Sequence, residues 1–301
     1  MVSGGTGRLN TIASIHRRPL LQAHFPKRHN QASMKIARYG WTRDLPDHRD
    51  IQLYTQAPPG RKLPPTVDLR ELMPPVYDQG ELAACTANAL ASLLSYRGRP
   101  DGTLLSWTPS RMFLYYNQRA QAGLVHSDAG ASIRDGIKSM LRYGACSEEE
   151  WPYETSRLAK RPPARLYRTS DQLQELRYGR VAPSLTQLRS CLAAQNPVIF
   201  GISLFSGMES DTVSETGMIP LPRSDENLLG GHVLSAVGYD DRHQYFIVRN
   251  SWGAGWGDRG YGYLPYAYAT DPGLSADFWA LDLQPEYGAA PAEIRSTSRP
   301  E

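Results

Sequence analysis

Residues 230–266, GGHVLSAVGYDDRHQYFIVRNSWGAGWGDRGYGYLPY, constrain the fold more than any other stretch. Two β-branched and aromatic runs, 233–239 and 244–249, flank the turn GYDDRH. Runs of this kind around Asp and Gly read as an antiparallel hairpin. A turn centred near Asp241 sets Gly238 opposite Gln244 and His232 opposite Asn250. Directly opposed side chains have Cβ atoms roughly 4.5–5.5 Å apart. The pattern therefore predicts an imidazole beside a carboxamide at the open end of the hairpin. An Asn that accepts from one ring nitrogen leaves the other nitrogen available for proton transfer. Gly230 and Gly231 ahead of the histidine allow a second backbone to approach closely. Trp252, two residues past Asn250, is expected to cover the pair against water. Taken singly, a core histidine and a tight Gly-rich turn explain these residues as well.

The first half of the chain reads differently. Ala87, Leu90, Ala91 and Leu94 share one helical face, which predicts a helix over 85–97 stopped by Gly98 and Pro100. A second helix is expected from Thr108 as cap, with Pro109 in its first turn. A third is expected over 132–143, ended by Gly144. Residues 152–183, rich in Pro, Arg and Tyr, read as loop. Ser184 and Gln187 then form a capping-box pattern ahead of a short helix that Asn196-Pro197 breaks. A strand follows at 198–204. Helices first and strands second predict an α+β protein of two lobes.

Cys85 lies where the loop PVYDQGELAA enters the first helix. A helix start carries free N–H groups and positive partial charge, which lower a thiol's pKa. Gln79, six residues earlier, offers a side-chain N–H that pairs with the Cys85 backbone N–H to receive an oxyanion. An isolated Cys at such a place is more often a buried structural residue, and it is the downstream His and Asn that shift the balance. Cys146 and Cys191 read as structural thiols. Three cysteines with no CxxC spacing argue against a disulfide framework and a zinc site, and for a reducing compartment.

VDLRELMPPVYDQGELAAC, DAGASIRDGIKSMLRYGACSEEEWPY, GGHVLSAVGYDD and FIVRNSWGAGWGDRGYGYL together resemble the papain family of cysteine peptidases over about residues 63–284. The resemblance implies a helical left lobe, a β-rich right lobe and a catalytic cleft between them. It implies Cys85 as nucleophile, His232 as acid and base, Asn250 as orienter and Gln79 in the oxyanion hole. Gly130, Ala131, Gly231, Trp252 and Trp256 become substrate-binding residues. Gly130 pairs with the substrate backbone, and Trp256 borders the leaving-group side. Gly201, Ala131 and Val233 line the pocket for the residue two before the scissile bond. The family's usual CGSCW is altered here: Leu82 replaces the earlier cysteine and Thr86 the aromatic. This resembles the bacterial, xylellain-like branch. No metal or cofactor is implied.

Three chemistries stay open at this point: a cysteine endopeptidase, a thiol acyltransferase or amidase on the same scaffold, and an inactive peptide-binding homologue. The first is preferred because all four catalytic positions are filled. A net charge of +3 gives no indication of a nucleic-acid partner. No run reaches the roughly 18 apolar residues of a membrane span, so no membrane partner is expected; the papain-family resemblance implies a peptide or protein as substrate.

Asp44 is the first acidic residue, and Arg8, Arg17, Arg18, Lys27, Arg28, Lys35 and Arg38 precede it. That composition resembles a transit peptide. A basic tail, or sequence upstream of a start at Met34, gives the same pattern. The preferred expectation is an extension of a bacterial-type protein, cytoplasmic or exported without a classical signal peptide. The chain thus divides into a basic extension and Pro-rich linker at 1–62, a catalytic domain at 63–284 and a disordered tail at 285–301. Two readings of residues 1–62 stay open: an intramolecular cover lying across the cleft, or a disordered basic tail.

Overall fold

The computed structural model describes residues 39–53, 62–96, 107–170, 173 and 176–281. The basic stretch before Tyr39, most of the Pro-rich linker, the Gly98-Pro100 stop and the tail lie outside them.

Three helices form the first half: α1 (Cys85–Leu94), α2 (Arg111–Gln121) and α3 (Ile133–Tyr143). Every residue of α1 is buried. Its sequence, CTANALASLL, is mostly Ala and Leu with no charge, as a helix buried all round requires. Its polar side chains are satisfied inside: Asn88 Nδ2 donates to Ala84 O (2.9 Å) and Ser92 Oγ to Ala89 O (2.7 Å). The cap of α2 is Ser110 rather than Thr108. Its Oγ accepts from the Phe113 N–H (3.0 Å) and donates to Trp151 O (2.6 Å). Ser110 faces both a free helix amide and a buried carbonyl, so it satisfies two groups where Thr108 would satisfy neither. Ser132 caps α3 by accepting from the Asp135 N–H, and Gly144 ends it with φ of 69°.

The second half, joined by two short strands that precede α1, forms among the described residues a sheet of eight strands in the order β1 (Gln52–Leu53), β3 (Tyr178–Val181), β8 (Ser275–Leu281), β4 (Val198–Phe205), β5 (Leu228–Asp240), β6 (Tyr245–Arg249) and β7 (Tyr261–Pro265), with β2 (Thr66–Asp68) paired to β5. Among the described strands only β1 and β3 pair in parallel. Short helices α4 (Ala164–Thr169), α5 (Leu185–Ala193), α6 (Asp211–Thr216) and α7 (Tyr266–Thr270) join these strands. Residues 152–183 are therefore not all loop, since α4 and β3 lie within them. Leu166 is the buried anchor of α4.

Two apolar cores result. One packs α1, α2 and α3 with Trp151, Leu166 and Trp279. The other lies in the sheet half, from Leu53 to Ala280. Ile199, Val233 and Trp279 extend from the sheet into the helical core. Their strands, β4, β5 and β8, thus floor the junction between the lobes.

The hairpin register differs from expectation. Asp240 pairs with Tyr245 and Gly238 with Ile247; beyond a bulge at Val237, Ser235 pairs with Arg249. The turn takes four residues and holds Gln244 at φ 58°, which slides the partner strand along.

Ser110→Ala removes a cap and orphans a buried carbonyl. It is expected to destabilise the fold by about 1–3 kcal/mol in denaturant unfolding, while Thr108→Ala changes little.

Candidate active site

The loop before α1 is tied to the loop after β6 by backbone. The Gln79 N–H donates to Ser251 O (2.8 Å) and the Gly253 N–H to Tyr77 O (3.0 Å), while Asp78 and Trp252 form a bridge. This pairing brings the start of α1 against the Asn250 loop. Gln79 is fixed inside it. Its Oε1 accepts from Ser251 Oγ (2.6 Å), and its Nε2 donates to Leu82 O (2.7 Å). The Leu82 contact settles which end of the amide is which, since a backbone carbonyl can only accept. Ser251 was not singled out in the sequence, although its place beside Asn250 made it the adjacent hydroxyl.

His232 and Asn250 meet despite the slipped register, reaching each other diagonally across the sheet. His232 Nε2 lies 2.8 Å from Asn250 Oδ1, which also accepts from the Ser251 N–H. An oxygen that already accepts an amide proton can only accept, so Nε2 carries the hydrogen. Nδ1 is then the basic nitrogen, and it has no hydrogen-bond partner among the described residues. The Trp252 ring lies 5.0 Å from the imidazole, and Trp256 packs edge-on against Trp252 at 5.4 Å. The pair is shielded on that side by two indoles.

Residues 39–42 run through the groove between the lobes. The Trp41 N–H donates to Gly231 O (2.9 Å). The Ala131 N–H donates to Gly40 O (2.8 Å), and the Thr42 N–H to Ala131 O (3.2 Å), forming a parallel bridge. Ala131, not Gly130, makes both bonds. The Gly130 N–H instead points to the Tyr115 hydroxyl (3.2 Å), which donates to Asp128. What Gly130 supplies is space: a Cβ there would stand 1.9 Å from Gly40 O. The Trp41 indole fills the notch at Gly201, where a Cβ would stand 1.9 Å from its Cε2. The Tyr39 ring stands edge-on to His232 at 6.0 Å, and its hydroxyl bonds Glu209. An isolated glycine between two aromatics at 39–41 was the sequence signal for this contact.

Cys85 and His232 are both fully buried. Burial pushes the Cys85 thiol up, against opposing contacts with Val233 and Gly40. Burial also lowers His232 to about 4, with the Asn250 hydrogen bond pulling the other way. Both shifts favour neutral partners, so in this state desolvation outweighs the helix-start effect expected at Cys85. Cys146 is a buried thiol pushed up to about 12 by burial, and Cys191 is fully buried. Among the described residues no group of His, Cys, Asp and Glu is placed to hold a metal.

With this geometry in view, comparison with known proteins is informative. Residues 63–275 match the papain family cysteine protease model. The chain therefore belongs to the papain family. It is 37% identical to xylellain, a cysteine protease from Xylella fastidiosa, with a TM-score of 0.74, covering 83% of this chain and 98% of that one. An uncharacterised peptidase C1-like protein of Acanthamoeba polyphaga mimivirus is 35% identical over 212 residues, 68% of each chain. A cathepsin L-like protein of Caenorhabditis elegans is 30% identical over 217 residues, spanning 60% of that protein. The expected two-lobe papain-like fold and the xylellain-like branch are thus established, and the family is one of cysteine peptidases.

The sign of the His232 shift gives a pH dependence. An unfolded imidazole titrates near 6.5, and the folded one near 4. Between those values the unfolded chain holds a proton that the folded chain does not. The contribution is complete above about pH 6.5 and is lost as pH falls toward 4, by roughly 3 kcal/mol. Between pH 7 and pH 4 the unfolding free energy of the wild type should fall by roughly this much more than that of His232→Ala.

Proposed function

We propose that the chain is a cysteine endopeptidase held in a self-covered state, with Cys85, His232, Asn250 and Gln79 as its catalytic set and residues 39–42 as the cover. The observation that carries the catalytic reading is the His232 Nε2–Asn250 Oδ1 bond, which leaves Nδ1 as the base toward the thiol at the start of α1.

With the cleft open, Nδ1 takes the Cys85 proton and Sγ attacks the peptide carbonyl carbon. The carbonyl electrons move onto oxygen, which is met by the Cys85 N–H and the second N–H of Gln79 Nε2. As the tetrahedral intermediate collapses, the C–N bond breaks and Nδ1 protonates the leaving amine. Water then gives a proton to Nδ1, attacks the thioester carbon and releases the acid, and the thiol regains its proton. Asn250 holds the ring in the tautomer both steps need, as in Ser-His-Asp enzymes.

The cover binds where a substrate strand would, but with the opposite polarity. Tyr39 packs against Trp252 at 6.2 Å, on the side assigned to the leaving group. Trp41 follows in the pocket at Gly201, Ala131 and Val233, on the acyl side. A substrate enters with its N-terminal part on the acyl side, so the cover runs backwards and offers Cys85 no correctly directed carbonyl. The same contact suggests the substrate preference: a pocket whose wall is Gly201 takes a large aromatic ring two residues before the scissile bond.

Intact-mass labelling with an epoxysuccinyl thiol inhibitor tests both parts. Trp41→Ala in the full chain empties the notch, a loss of about 3 kcal/mol by analogy with core truncations, and is expected to speed labelling of Cys85 at least tenfold. Adding His232→Ala should abolish labelling. Equal rates for wild type and Trp41→Ala would remove the cover, and a folded protein that never labels would remove the peptidase reading. In the Trp41→Ala background, Gln79→Ala should lower turnover on the order of a hundredfold, as for loss of an oxyanion donor.

A further inference from the structure

Three residues past Trp41, Asp44 enters a site of its own. Its side chain is 0% exposed. Oδ2 accepts from Arg180 Nη2 (2.9 Å) and from the Trp279 indole N–H (3.0 Å). Oδ1 accepts from the backbone N–H of Arg134 (3.3 Å) in the first turn of α3. The backbone is held as well. The Asp44 N–H donates to Asp277 Oδ2 (2.7 Å), and Arg134 Nη1 donates to Leu45 O (2.7 Å). The wall thus contacts an amide N–H, the following carbonyl and a carboxylate of a single extended stretch.

The wall is fixed independently of Asp44. The Arg180 guanidinium lies over the Trp279 ring at 4.6 Å, with Nη1 on Asp277 (3.2 Å) and Nε on Asp50 (3.0 Å). Arg134 Nε bonds Asp50 (2.9 Å). Asp277 is 5% exposed and sits at φ 57°, where the register between β4 and β8 shifts. A non-glycine residue held in this conformation inside a strand costs free energy. Here it turns a carboxylate out of the strand toward the Asp44 amide. If 39–45 leave the groove, Arg180 Nη2, the indole N–H and the Arg134 N–H lose their acceptor together. Partly buried donors without acceptors strongly favour a new one.

We infer that Arg180, Trp279, Asp277 and the first turn of α3 form a substrate subsite for an aspartate side chain, which Asp44 fills in the covered state. The inference rests on the peptidase reading above. Because the cover runs backwards, the aspartate lies N-terminal to the aromatic residue that replaces Trp41, by about three residues of extended chain. The subsite recognises a carboxylate on a strand rather than a free anion, since Asp277 and Arg134 bind the flanking backbone.

The test uses the full chain carrying Trp41→Ala and Asp44→Asn, which loosens the cover and leaves the wall intact. Quenched peptides with a Trp for the pocket carry Asp or Asn two, three or four residues before it. At one of these positions the Asp peptide should have at least tenfold higher kcat/KM than its Asn twin, mostly through KM. Adding Arg180→Met should bring that ratio below two. Arg180→Lys, which keeps the charge without the planar fork, should lower it severalfold and serves if the Met variant fails to fold. Asp and Asn peptides cleaved equally at every position would overturn the subsite and leave the peptidase reading standing. A folded enzyme that cleaves none of the peptides and does not label at Cys85 would overturn both.

Discussion

The short backbone ladder between residues 77–79 and 251–253 is the interaction on which the site depends. Two hydrogen bonds and one bridge join the loop that launches α1 to the loop that follows β6. Together with the packing of α1 on Ile199 and Val233, they fix the separation between the Cys85 thiol and the His232–Asn250 pair. Nucleophile and base must be held within hydrogen-bond reach for catalysis. Backbone-to-backbone pairing does this more rigidly than long side chains, which lose rotamer freedom when ordered. Ser251 adds a second function from the same place. Its carbonyl takes the Gln79 N–H while its hydroxyl fixes the Gln79 amide. One dipeptide, Asn250-Ser251, thereby hydrogen-bonds both the His232 imidazole and the Gln79 amide.

Burial sets the charge state of this machinery. With Tyr39, Gly40 and Trp41 in the groove, water is kept from Cys85 and His232, and the charged form of each is penalised. A thiolate–imidazolium pair needs either solvent or mutual contact, and Nδ1 makes no hydrogen bond among the described residues. The segment that lies in the groove thus shares in the burial that disfavours the charged form of both groups. Glycines make this geometry accessible. Gly130, Gly201 and Gly231 stand where side chains would collide with Gly40 or Trp41, so the groove is shaped around a backbone and one large ring.

The candidate site was legible because the proposed chemistry needs specific residue types: Cys85 does open α1, and His232 on β5 does meet Asn250 just past β6. The helices with strong local signals were legible too, α3 above all, where Ser132 and Gly144 mark both ends. The hairpin register was not. It depends on a four-residue turn and a bulge at Val237, neither of which alters the apolar pattern. His232 and Asn250 still meet because polar side chains reach diagonal neighbours across a sheet. β8 was missed for a different reason. All seven of its residues are buried, so SADFWAL shows no alternation, and periodicity cannot separate such a run from other buried segments. β3 and α4 lie in a Pro- and Arg-rich stretch whose composition reads as loop, and tertiary pairing with β8 and burial of Leu166 decide their structure.

The charged residues at β3 and β8 illustrate what a sequence hides most completely. Arg180 and Asp277 are far apart in the chain and match no motif, and each alone would read as a solvated surface charge. In the fold they converge with Arg134, Asp44 and Asp50 around one indole, Trp279. Charges removed from water need several partners each, and here every guanidinium nitrogen of Arg180 has its own carboxylate. Burial and the neighbouring Asp277 push the Asp44 carboxyl upward, so its ion pairs do not come free. A stabilising element chosen for stability alone would sooner have been apolar. A polar arrangement that also contacts the backbone on both sides of one residue is better matched to recognition than to packing, and it lies along the same strand of chain that crosses the catalytic cleft.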